Sequence, residues 1–179
     1  MKNLWNNSLK PVAVLLVICT AVGAVLAGVN AMTAPVIAAN ETQAANETYF
    51  AILPEADSFT QLDCDLEGVT AVLRADNGAG YVVTAQAQGY GGQVPAAVAF
   101  SPEGEVLQVM MMSNEETPGL GQKVLEEDFC GQFAGRSAQT ILLEDIDAIS
   151  GATISSKAAL SAVNLAIEAY QLVTGGQTE

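Results

Sequence analysis

Asp147-Ala148-Ile149-Ser150-Gly151-Ala152-Thr153-Ile154-Ser155-Ser156 stands directly before the last apolar stretch of the chain. That stretch, Ile154 to Val173, places Leu160, Val163, Ile167 and Tyr170 at i, i+3, i+7 and i+10. On a helix these positions form one stripe, so a helix is predicted over 154–173. Gly175-Gly176 supplies its stop. The quoted segment is then the start of that helix. A helix start leaves several backbone N–H groups without partners, and with the helix dipole they make an anion site suited to phosphate. Gly151 allows close backbone approach, and Thr153 places a hydroxyl where a phosphate would sit. A plain N-cap by Ser150, Thr153 or Ser155 explains the same residues, and that reading stays open at this point.

Upstream lie four strand-like runs: Val69 to Leu73, Tyr81 to Ala85, Val94 to Phe100 and Val106 to Met112. The turn signals Asp76-Asn77-Gly78 and Pro102-Glu103-Gly104 separate two of the pairs. Such closely spaced runs predict an antiparallel sheet. A short helix is expected around Val124–Phe129. Met110-Met111-Met112 reads as a strand alternating into the core. The fold class is α+β, with flanking helices on an antiparallel-rich sheet.

The chain has 179 residues, room for one ordinary domain and an appendage. Its charges are unevenly placed. Pro11 to Asn40 holds no charged residue, and all 20 acidic residues lie from Glu41 onward. Only Arg74, Lys123, Arg136 and Lys157 oppose them there, leaving −16, whereas Lys2 and Lys10 give the first residues +2. Nucleic acid is excluded as a partner, because phosphate contacts need Lys and Arg. With no His, the Ser-His-Asp and Cys-His mechanisms and the common zinc sites are excluded. Cys64 and Cys130 have the parity for one disulfide but no CxxC spacing. Cys19 lies within the apolar run.

Val12 to Ala34 is long enough as a helix, about 35 Å at 1.5 Å per residue, to cross a hydrocarbon core of about 30 Å. Lys2 and Lys10 precede it, so residues 1–10 are expected in the cytoplasm and the rest outside. The alternative is a cleaved signal peptide, with Val29-Asn30-Ala31 as the cleavage site, although this run exceeds the usual apolar length. A second helix, Thr42 to Leu53, is expected to leave the membrane and stop at Pro54. The expected organisation is a tail (1–10), a membrane helix (11–34), a helical connector (35–60) and an outer domain (61–179).

Three motifs carry a family resemblance. Asp147 to Thr153 resembles the flavinylation motif of the FMN-binding domain family, in which a Thr takes FMN through a phosphoester. Glu116-Thr117-Pro118-Gly119-Leu120-Gly121 resembles that family's loop near the flavin ring, and Gly89-Tyr90-Gly91-Gly92 resembles its turn before the third strand. The plan of one membrane helix and one outer flavin domain is similar to the G subunits of Rnf-type ion-translocating electron-transport complexes. The C subunits of sodium-pumping NADH:quinone reductases share the plan but are usually longer.

The resemblance implies covalent FMN on Thr153, with Ser150, Gly151, Ala152, Ile154, Glu116, Thr117, Leu120 and Gly121 around it. Lys123 and Lys157 are expected to offset the cofactor's negative charge. It also implies a flavin transferase that uses FAD, and other membrane subunits that carry the nicotinamide and iron–sulfur chemistry this chain lacks. Membrane lipid is expected around the anchor, and the setting is a bacterial cell membrane. Two other readings are a stand-alone extracellular FMN carrier and a non-redox, pilin-like surface protein.

Overall fold

The computed structural model describes residues 10–175, with side chains for all of them except 35–46. The tail expected at the N-terminus up to Leu9 and the stop residue Gly176 lie outside the described residues. The chain divides into two units at 46/47.

The first unit consists, in its described part, of helix α1, which spans Lys10–Ile52 and so continues into the second unit. Lys10–Ala34 is a segment of 25 residues long and apolar enough to cross a membrane, by length and composition. The sequence pattern suggests a membrane helix and a separate helix from Thr42. The backbone is instead one helix.

In the second unit the strand-like runs form one sheet. β1 is Phe59–Leu62, β2 Val69–Ala75, β3 Tyr81–Gln88, β4 Gln93–Phe100 and β5 Val106–Met111. They pair antiparallel in chain order. Turn chemistry drives this meander. At the β2–β3 turn the Gly78 N–H donates to the Ala75 carbonyl at 3.0 Å, and Gly78 has φ 77°, a left-handed value that glycine adopts without strain.

β3 and β4 are apolar on both faces, so both faces need a cover. On one face Val83, Ala85, Ala96 and Val98 pack with Leu160, Val163, Ile167 and Tyr170 of the C-terminal helix, α3, which spans Thr153–Gly175. The stripe expected from the sequence is this buried face. On the other face Leu73, Val82, Ala97 and Ala99 pack with Ile52, Leu53 and Ala56, and Tyr49 and Phe59 lie against them. Met111 belongs to the first cluster and Met110 lies against the second, the alternation expected of a strand.

The helical connector expected over 35–60 is therefore corrected at its end. Helix α1 stops at Ile52. Residues from Glu47 belong to the second unit, and Phe59 starts β1, because the sheet's second face draws this segment onto it.

Between β5 and α3 the chain makes short turns of helix: 3₁₀ turns at Gly121–Leu125, Gly131–Phe133 and Leu143–Asp145, and helix α2 at Glu127–Cys130. The three cysteines are free thiols. The disulfide open from parity is not formed: Cys130 is buried, and its Sγ donates to the Val124 carbonyl at 3.3 Å.

Candidate functional site

Three segments distant in sequence meet at the N-terminus of α3. Their link is Glu116, whose side chain is 1% exposed. The N–H groups of Tyr90 and Gly91, in the β3–β4 turn, donate to its Oε1 at 2.8 and 3.0 Å. The Ser155 hydroxyl, in the first turn of α3, donates to Oε2 at 2.6 Å. One buried carboxylate thus joins the Gly-Tyr-Gly-Gly turn, the loop 116–121 and the helix start. A buried carboxylate is costly unless it is hydrogen-bonded, and here each oxygen is met. Gly121 completes the joint. A Cβ there would come within 2.8 Å of both Glu116 Oε2 and Ser155 Oγ, so any side chain would force the joint to shift.

The segment before α3 is held by its own set of bonds. Ser156 Oγ accepts the Ile149 N–H at 3.0 Å and donates to the Ala152 carbonyl at 3.1 Å. The Gln132 side chain accepts the Asp147 N–H at 2.6 Å. Gly151 turns the chain with φ 82°. The sequence pattern suggests a capping role for Ser150. Ser150 is instead exposed, and the hydroxyl that ties this loop is that of Ser156, whose side chain is fully buried. Its signal in the sequence is only a hydroxyl at a helix start, shared with three neighbours.

Above the Glu116 joint lies a cavity of about 440 Å³, lined by Tyr90, Thr117, Leu120, Gly121, Gly151, Ala152, Thr153, Ile154 and Ser155. That volume lies within the range of roughly 300–1,000 Å³ typical of small-molecule sites. Thr153 is the first residue of α3 and is exposed. Ser156 N–H is already bonded to the Ala152 carbonyl. The N–H groups of Thr153, Ile154 and Ser155 therefore form the free amide set of a helix start, directed with the helix dipole at an anion. Leu120, Ile154 and Tyr90, each at least 40% exposed, give the cavity an apolar and aromatic side.

This combination suits a nucleotide-like flavin. The free amides would hold a phosphate, and the apolar side would take a flat ring. The residues present therefore fit FMN.

Of the residues singled out in the sequence, Thr117, Leu120, Gly121, Gly151, Ala152, Thr153 and Ile154 line this cavity together. Glu116 lies behind the lining and Ser150 outside it. Lys123 lines a separate cavity of about 290 Å³ with Asp147, Glu126 and Asp128. Lys157 is exposed and is not in the lining. The two lysines expected to offset the cofactor's charge are thus not part of this lining, although Lys157 is four residues on from Thr153, the spacing that brings side chains onto one face of a helix. Tyr90 and Ser155 are lining residues whose role the sequence alone does not reveal.

An α+β domain with free amides at a helix start beside an apolar slot has the arrangement of a flavin-binding module, and residues 89–168 match the FMN-binding domain family. The chain is 33% identical over 170 residues to the G subunit of the proton-translocating ferredoxin:NAD(+) oxidoreductase complex of Clostridium ljungdahlii, covering 91% of each chain. It belongs to the family of G subunits of ion-translocating oxidoreductase complexes. It is also 30% identical over 194 residues to the G subunit of the Na(+)-translocating ferredoxin:NAD(+) oxidoreductase complex of Acetobacterium woodii, covering 93% of each. Among solved structures, NqrC of Shewanella oneidensis matches with a TM-score of 0.50 at 19% identity, over 65% of this chain and 68% of that one, a likeness of fold.

Proposed function

We propose that this chain is the membrane-anchored flavoprotein subunit of an Rnf-type ferredoxin/NAD ion-translocating complex, relaying electrons through FMN held covalently on Thr153. The observation that carries the reading is the pairing of the exposed Thr153 hydroxyl with the free amides of α3 at one cavity. In attachment, Thr153 Oγ1 bonds to the FMN phosphorus of FAD. The pyrophosphate bond breaks, AMP leaves, and the hydroxyl proton is released; a flavin transferase is the catalyst. The amides of Thr153, Ile154 and Ser155 then hold the phosphate charge. Bound FMN supplies a ring that takes and returns one or two electrons. Leu120, Ile154 and Tyr90 would hold that ring.

Lys10–Ala34 anchors the chain in the bacterial cell membrane, in contact with lipid, with the flavin domain outside the cytoplasm. Partner subunits of the complex supply the nicotinamide and iron–sulfur sites. The pilin-like reading has no use for a cavity of this composition. A stand-alone carrier would work without partner subunits, and membership of the G-subunit family favours the complex.

The test is attachment. The full chain is produced with a flavin transferase, and flavin fluorescence is read in a denaturing gel alongside intact mass. The wild type should carry one FMN, and Thr153→Ala should carry none while keeping its fold. A fluorescent Thr153→Ala band, or a flavin peptide lacking Thr153, defeats the assignment.

A further inference from the structure

The buried carboxylate of Glu116 has no place in the attachment chemistry, and it sits one residue layer behind the apolar side of the flavin cavity. Its Oε1 is bonded to the backbone of Tyr90, and its Oε2 lies against Gly121, both lining residues. All three of its hydrogen bonds are received from donors, two amides and the Ser155 hydroxyl. That is the pattern of an ionised carboxylate, which accepts on both oxygens. Neither Lys123 nor Lys157 lines the flavin cavity. The groups bonded to this carboxylate are all neutral dipoles.

From this geometry we infer that Glu116 sets the reduction potential of the bound flavin, holding it low through a fixed negative charge behind the ring. The inference rests on the reading that FMN occupies this cavity. Reduction adds electron density to the ring. A carboxylate buried close by, where screening by water is weak, opposes that addition. The same side chain also holds the Tyr90–Gly91 turn in place, so its charge and its shape must be separated. Glutamine keeps the shape. Its carbonyl oxygen still accepts the Tyr90 and Gly91 amides, and the Ser155 hydroxyl rotates to accept from its amide nitrogen. Aspartate keeps the charge but is one methylene too short to reach both sides. Glu115 is exposed and adjacent in sequence, so Glu115→Gln removes one charge without touching the joint.

The experiment is a spectroelectrochemical titration of the detergent-solubilised, flavin-loaded full chain, with a thermal melt of each variant. Glu116→Gln should load FMN, melt near the wild type, and shift the midpoint potential upward. Glu115→Gln should leave the potential unchanged. Glu116→Asp should melt lower yet keep the wild-type potential. Equal potentials for Glu116→Gln and Glu115→Gln overturn the inference. So does a folded Glu116→Gln protein that takes up no flavin, since a charge that only biases the ring is dispensable for attachment. Where Glu116→Gln does not fold, Glu116→Asp decides: a raised potential with the charge retained overturns the inference. A wild type that carries no FMN would instead defeat the functional reading itself.

Discussion

At the scale of single residues, Gly121 is a position with little freedom at the cavity. Any Cβ there meets Glu116 and Ser155 at once, and both are buried. Gly121→Ala should cost about 1–3 kcal/mol, the usual size of overpacking. It should also lower flavin loading, because the loop carrying Leu120 shifts. A thermal melt with a fluorescent denaturing gel reads both, and an unchanged melt would mean the joint relaxes freely. Burial also pushes the Cys130 thiol above its ordinary pKa, and a thiol is nucleophilic only as thiolate. Cys64 is half-buried. Under mild alkylation at neutral pH, peptide mapping should find Cys64 modified well before Cys130. The helix start at Thr153 was legible in the sequence because it is a local pattern. The role of Glu116 was not, since its bonds reach 26 and 39 residues away and nothing local marks which acidic residue turns inward.

At the scale of elements, α3 is both cofactor cradle and core wall. Ile167 is 2% exposed and lies well along the helix from the cavity. Ile167→Ala should cost about 2–5 kcal/mol while leaving covalent FMN in place, which a denaturant titration and the gel separate. β1 behaves differently, as an edge strand held partly by side chains. Ser58 Oγ and Thr60 Oγ1 each donate to the Asp76 carboxylate at 2.6 Å. These bonds, Ser58 first and then Thr60, hold the Asp76 pKa below its ordinary 3.8, with Arg74 adding to them. The folded pKa is depressed, so the stabilisation is present above about pH 3.8 and is lost as the pH falls through the folded value. Ser58→Ala should therefore melt below the wild type near neutral pH, with the gap closing as the pH drops under 3.8; a gap independent of pH would assign the loss to packing. β2 to β5 were legible from β-branched runs between turn signals. β1 was not, because Phe59-Thr60-Gln61-Leu62 has apolar residues only at its ends and shows no period of two.

At the scale of the whole molecule, composition made the division into an apolar helix and an acidic domain visible, but not where the domain begins. The sheet is apolar on both faces, which only pairing reveals, and the second face needs Ile52, Leu53 and Ala56. Those residues read locally as the tail of a connector. This gives a prediction about where the chain can be cut. A fragment starting at Glu47 retains both covers of the sheet. It should be soluble without detergent, melt cooperatively and accept FMN from a flavin transferase. A fragment starting at Gln61 lacks Tyr49, Ile52, Leu53, Ala56 and half of β1. It would expose Leu73, Val82, Ala97 and Ala99, the contiguous apolar patch that drives association. Light scattering and a dye that binds exposed apolar surface should show that shorter fragment aggregated, although its cavity residues are all present. Two fragments of equal solubility and loading would mean that the second face needs no cover, and that the packing of 47–56 on the sheet contributes little to the domain.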